Sequence, residues 1–193
     1  MKYPNGISKE VKSGFSHINR GMNLEADIND TNEYYIEKDI AIIHKKPTPI
    51  TINKVNYKSR RDAVITEAHF KTPSTTDYNG IYKGKYIDFE AKETKSISSF
   101  PLNNIHTHQI EHLKKIKRHG GISFIIVRFT KLNKTYLLFT EDLTDFINNN
   151  KRVSIPITYF ENKGYLIKEV LRPRLNYLKI LEDQGVLLWK KES

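Results

Sequence analysis

Asp88, Glu90 and Lys92 stand at alternate positions in "GKYIDFEAKET" (84–94), and Asp77 lies just upstream in "TTDYNG". Side chains alternate along a strand, so Tyr86, Asp88, Glu90 and Lys92 share one face while Ile87, Phe89 and Ala91 face a core. A solvated strand face looks like this, and so does a site for phosphodiester hydrolysis. That reaction uses a hard cation to polarise the phosphate. Magnesium takes oxygen ligands and prefers one or two protein carboxylates plus water. A lysine two residues beyond a carboxylate sets an ammonium beside the scissile phosphate, to orient the nucleophile or balance developing charge. Asp77, in the turn leading into the strand, can fold back as the second carboxylate. Asp88 competes for that role, but it sits ~6.5–7 Å from Glu90 along the backbone and reads as structural.

Around these residues the chain reads as one α/β domain. Residues 20–35 form a helix with Met22, Ala26 and Asn29 on one face and Glu25 beside them. "DIAIIHKK" (39–46) is a short apolar strand. Residues 47–72 begin with two prolines that bar a central strand, yet Ile50–Val55 and Ala63–Phe70 look extended, so the segment reads as a two-stranded projection with a basic tip. "DYNG" is a turn signal and, with "IYKG", suggests a hairpin into the charged strand. Residues 103–119 form a helix striped by Ile105, Gln109, Leu113 and Ile116 and ended by Gly120-Gly121. A buried glutamine needs a partner, either within a core or at an active site. "ISFIIVRF" (122–129) is apolar enough to be covered on both faces, and "KTYLLFT" (134–140) pairs with it. Thr140 is the expected cap of the next helix, and Pro173 the first turn of a last helix over 172–183. Helices and strands in this order give a mixed sheet flanked by helices.

With 193 residues, no cysteine and a net charge of +10, the chain fits a cytosolic protein that attracts polyanions. It holds no apolar run of about 18 residues, and its N-terminus lacks the apolar stretch of a signal peptide. Residues 1–18 read as a polar, disordered arm and 19–193 as a single domain.

Asp77 with Glu90-Ala91-Lys92 resembles the PD-(D/E)xK nuclease motif, although no proline precedes Asp77. The blocks "RGMNLEADI", "IAIIHKKPTPI", "TPSTTDYNGIYKGKYIDFEAKETK", "SFPLNNIHTHQIEHL" and "RPRLNYL" closely resemble RecU-type Holliday-junction resolvases over residues 19 to 180. The resemblance implies a restriction-endonuclease-like core with a protruding stalk, 47–72. It implies a homodimeric, magnesium-dependent endonuclease, with manganese as a substitute, that cuts four-way DNA junctions in recombination and repair. By that likeness Asp77 and Glu90 are the metal carboxylates, joined by the Ala91 carbonyl and Thr75. Lys92 is the motif lysine, Glu25 the acidic residue of the first helix and Gln109 the helix glutamine. Arg20, Lys58, Arg60, Arg61, Thr76, Lys114 and Lys115 are the expected DNA contacts. The resemblance also implies a nucleoid-associated protein in contact with recombinase and branch-migration proteins.

Two rivals remain. His108-Gln109-Ile110-Glu111-His112 spells H-x-x-E-H, a zinc-peptidase spacing. A non-catalytic architectural DNA-binding protein explains the charge and the basic projection. It does not explain carboxylates within a DNA-attracting surface, which repel phosphate unless a cation intervenes.

Overall fold

The computed structural model describes residues 23–57, 59, 61–70 and 75–187. The arm over 1–18, Arg20, Met22, Lys58 and Arg60 lie outside them. Helix α1 (Leu24–Glu37) leads into β1 (Ile42–Lys45), followed by β2 (Ile50–Asn56), β3 (Val64–Phe70), β4 (Tyr78–Tyr82) and β5 (Lys85–Thr94). After the short β6 (Ser99–Pro101) come α2 (Thr107–Arg118), β7 (Ile122–Phe129), β8 (Lys134–Phe139) and α3 (Thr140–Asn149). Then β9 (Ser154–Pro156), α4 (Ile157–Lys163), β10 (Tyr165–Ile167) and α5 (Tyr177–Asp183) complete the order.

Six strands form one mixed sheet in the order β1-β4-β5-β7-β8-β10. The β5–β7 pair is parallel and α2 supplies its crossover; the other pairs of this sheet are antiparallel. Helices cover both faces, as the sequence led us to expect. On one side α1 and α5 pack Leu24, Ile28, Tyr35, Tyr177 and Leu178 against Phe89, Phe124 and Leu137. On the other, α2, α3 and α4 pack Leu113, Leu143, Phe146 and Phe160 against Ile125, Val127 and Leu138. Strand β7 is buried along its whole length, which accounts for its mostly apolar sequence; its two polar residues, Ser123 and Arg128, are buried with partners.

Several boundaries and faces differ from the sequence reading. Asn23 caps α1, its side chain accepting the Ala26 N–H at 2.8 Å. The buried face of α1 is Leu24, Asp27, Ile28, Thr31, Asn32 and Tyr35, not the Ala26 and Asn29 face. Its polar members are held by distant partners. Asp27 pairs with Arg128 at 2.6 Å and Arg174 at 2.7 Å, Thr31 accepts the Leu175 N–H at 3.0 Å, and Tyr177 donates to Asn32. Those same bonds, with the Glu169–Leu175 bridge, hold residues 172–176 out of helix, so α5 starts only at Tyr177. Asn79-Gly80 is not the hairpin turn but lies inside β4. There a Cβ on Gly80 would sit 2.0 Å from the Ile42 carbonyl oxygen, so glycine serves the close approach of β1. The turn is Lys83-Gly84, with φ of 47° and 75°, the two positive values of a type I′ hairpin. Leu102–Asn104 is a short 3-10 turn, Ile105 is extended and α2 begins at Thr107. Phe139, not Thr140, is the N-cap of α3; the Thr140 hydroxyl instead lies 2.7 Å from that of Ser123 in the core.

Strands β2 and β3 pair with each other, apart from the main sheet, and all fourteen of their residues are exposed.

Candidate active site

The site is built where β4 ends and β5 continues. Tyr78 pairs with Phe89, so the antiparallel register carries Asp77 beside Glu90 and Ala91. A stack beneath fixes that register. The Tyr78 ring lies 4.9 Å from Phe89, and Phe89 lies 4.8 Å from Phe124, both nearly parallel. The Ala91 N–H donates to Asp77 Oδ2 at 3.1 Å. In a strand the N–H and C=O of one residue point to the same side, so the Ala91 carbonyl also faces the space past the end of β4.

Glu90 is fully buried. Its Oε1 accepts from Gln109 Nε2 at 2.7 Å and lies 2.7 Å from Lys92 Nζ, while Oε2 has no hydrogen-bond partner. Burial, and then the Asp77 charge, push the Glu90 carboxyl up to about 7, with Lys92 pulling the other way. Gln109 bonds at both ends of its reach, because its Oε1 also accepts the His106 N–H at the start of α2. The glutamine expected to interrupt the apolar stripe thus ties the helix start to the carboxylate.

Asp88 is the other fully buried acid of β5, and its environment is different. Oδ1 accepts from the Thr76 hydroxyl. Oδ2 accepts from Lys46 Nζ at 2.7 Å and Tyr86 Oη at 3.0 Å, and it meets His112 Nε2 at 3.3 Å. Four protein groups thus surround its two oxygens, whereas Glu90 keeps one oxygen without a hydrogen-bond partner.

Other expected residues fall at varied places. Glu25, in the first turn of α1, is exposed and pairs with Lys45 at 2.5 Å. Thr75 is exposed and its hydroxyl accepts from Lys46 at 3.2 Å. Thr76, expected to touch DNA, is instead fully buried, because its hydroxyl serves Asp88 and Lys46. Arg61 and Lys115 are exposed, while Lys114 pairs with Glu111 at 2.8 Å. His108 stacks on His106 with ring centroids 5.4 Å apart, whereas His112 turns to Asp88, so the H-x-x-E-H residues do not converge. Among the described residues no group of three or more His, Cys, Asp and Glu side chains is arranged as a metal cage. A cation here would rest on two carboxylates and main-chain or water oxygens, the donor set of a hard divalent ion.

Sequence reasoning missed Lys46 and Glu93. Counting by twos from Ile42 and His44 places Lys46 on the Asp88 face, a signal that was present. Glu93 Oε1 accepts the Leu24 N–H at 2.7 Å and so meets the positive end of α1; only the tertiary structure reveals that contact.

A family model described as Recombination protein U, RecU, matches residues 19–183. A Holliday junction resolvase RecU from Geobacillus sp. (strain WCH70) is 52% identical, the alignment covering 94% of this chain and 96% of that protein. One of the same description from Geobacillus kaustophilus (strain HTA426) is 49% identical over 95% of this chain and 96% of that protein. Among solved structures, Hjc of Archaeoglobus fulgidus, a Holliday junction resolvase, is 10% identical with a TM-score of 0.42 over 72% of this chain and 95% of that one.

Proposed function

Because this chain belongs to the RecU family, we propose that it is an endonuclease that resolves four-way DNA junctions by divalent-metal-dependent hydrolysis, working as a homodimer. The observation that carries the chemistry is the buried Glu90 carboxylate with one unpartnered oxygen, next to Asp77 and Lys92. Two neighbouring acids, one of them fully buried, repel each other, and a bound cation removes both that repulsion and the unmet oxygen. Asp77, Glu90 and the Ala91 carbonyl would hold magnesium or manganese, with Thr75 at the exposed edge. The cation supplies Lewis acidity at the scissile phosphate.

The chain's own groups do the rest. Gln109 fixes the Glu90 carboxylate in one orientation. Lys92, about a quarter exposed, reaches from beside Glu90 toward the solvent side, where it orients the attacking water and balances charge on the phosphate. Water oxygen bonds to phosphorus, the bond to the 3′ oxygen breaks, and the products are a 5′-phosphate and a 3′-hydroxyl. Arg20, Lys58, Arg60, Arg61, Lys114 and Lys115 contribute to the basic field that draws phosphates in. The β2–β3 hairpin is the stalk for the junction centre. Two protomers related by a two-fold axis would cut at symmetric positions.

One gel tests this reading: a synthetic four-way junction beside linear duplex, each with magnesium or EDTA. Symmetric nicks only with junction and metal are expected. A shifted but uncut junction would favour an architectural protein, and loss of a tightly bound zinc together with cutting in His108→Ala would favour a histidine-held metal.

A further inference from the structure

Lys46 donates to the Thr75–Asp77 turn and to β5 at the same time. Its main-chain N–H donates to the Asp77 carbonyl at 2.7 Å. Its Nζ donates to Thr76 Oγ1 at 2.5 Å, to Asp88 Oδ2 at 2.7 Å and to Thr75 Oγ1 at 3.2 Å. An ammonium has three donors, and all three are used. Its side chain is only 15% exposed and its chief anchor, Asp88, is fully buried. Pro47 follows, which restricts Lys46 itself to an extended backbone. The turn it grips lies outside β4, and the Lys46–Asp77 main-chain bond extends the β1–β4 pairing into it by one residue.

We propose that Lys46, anchored by Asp88, is a positioning residue that presets the Asp77 carboxylate opposite Glu90 for cation binding. The proposal rests on the reading of Asp77 and Glu90 as the cation-holding pair. The Ala91 N–H fixes one carboxylate oxygen of Asp77 and the Lys46 main-chain N–H fixes its carbonyl, while Lys46 Nζ ties the adjoining Thr75 and Thr76 to Asp88, so the side chain holds the turn that aims the remaining oxygen. Asp88 is thereby given a task that fits its bonds to Lys46, Thr76 and Tyr86. A free phosphate-binding lysine would carry no such set of internal acceptors.

The test titrates Mn2+ alone into the full-length protein, by electron paramagnetic resonance, for wild type, Lys46→Met, Asp88→Asn and Glu90→Gln. Lys46→Met and Asp88→Asn are expected to weaken Mn2+ binding roughly tenfold, the lower end for a group supporting a metal ligand. The metal concentration for half-maximal junction cleavage should rise in parallel, and the rate at saturating metal should recover to within about two- to three-fold. Junction affinity in EDTA should not change at low or moderate salt. Loss of that affinity in Lys46→Met would make Lys46 a phosphate contact and overturn the proposal, as would an unchanged Mn2+ affinity. If Lys46→Met does not fold by circular dichroism, Thr76→Val decides. A smaller shift in the same direction supports the clamp and no shift overturns it. Wild type that binds no Mn2+ overturns the cation site and the clamp with it. Binding abolished by Glu90→Gln but untouched by Lys46→Met overturns only the clamp.

Discussion

Replacing Glu90 with glutamine should stabilise the metal-free protein while ending cleavage. In the folded chain burial and the Asp77 charge raise the Glu90 carboxyl from 4.5 to about 7. The folded state therefore holds a proton that the unfolded state releases between those two values. Where the native state binds more protons, stability falls as pH rises. The contribution is present below pH 4.5, is lost through the interval and is gone above about 7. Each pKa unit is worth about 1.4 kcal/mol, so the cost at pH 8 has a ceiling of about 3 kcal/mol. Glutamine mimics the protonated form, since its carbonyl can still accept from Gln109, and its amide finds an acceptor in Asp77. About 2–3 kcal/mol is then expected, or roughly 5–10 °C in Tm for a chain of this size. Urea unfolding in EDTA at pH 8 and pH 4.5 reads it: the variant should be more stable at pH 8, with the gap closing at pH 4.5. Added magnesium should stabilise wild type and leave the variant unmoved. A variant less stable than wild type at pH 8 in EDTA would refute the electrostatic reasoning.

Asp77→Ala should abolish cleavage, while junction binding by gel shift persists because the basic surface supplies the affinity. Lys92→Ala should lower turnover by about 10²–10³-fold, as removal of one charge-stabilising donor does, with Mn2+ binding retained. Asp27→Ala should cost about 3–5 kcal/mol in chemical denaturation, since it leaves the Arg128 and Arg174 guanidiniums without their shared carboxylate. Shortening the β2–β3 hairpin should spare folding, because its residues are exposed, and should lower the ratio of junction to duplex affinity at fixed salt. An unchanged ratio would remove its role in choosing junctions.

The alternation of Asp88, Glu90 and Lys92, the apolar run of β7 and the Gln109 stripe were legible in the sequence, because each is a periodic pattern produced by local backbone geometry. So were the charge and the resemblance to RecU resolvases. What local pattern could not reveal is the partner of a polar residue. Asp27, Thr31 and Asn32 lie off the face of α1 that the sequence singled out, yet they are buried, because Arg128, Arg174, Leu175 and Tyr177 reach them from more than a hundred residues away. Asn79-Gly80 carries the stronger turn signature, but Gly80 is needed where β1 crowds it, and the turn passes to Lys83-Gly84. The sequence favoured Asp77 as the second carboxylate and kept Asp88, on the Glu90 face, as its competitor. The surroundings of the two differ in ways that only the tertiary structure decides: Lys46, Thr76, Tyr86 and His112 gather round Asp88, whereas Asp77 stands beside the buried Glu90, one oxygen of which has no hydrogen-bond partner.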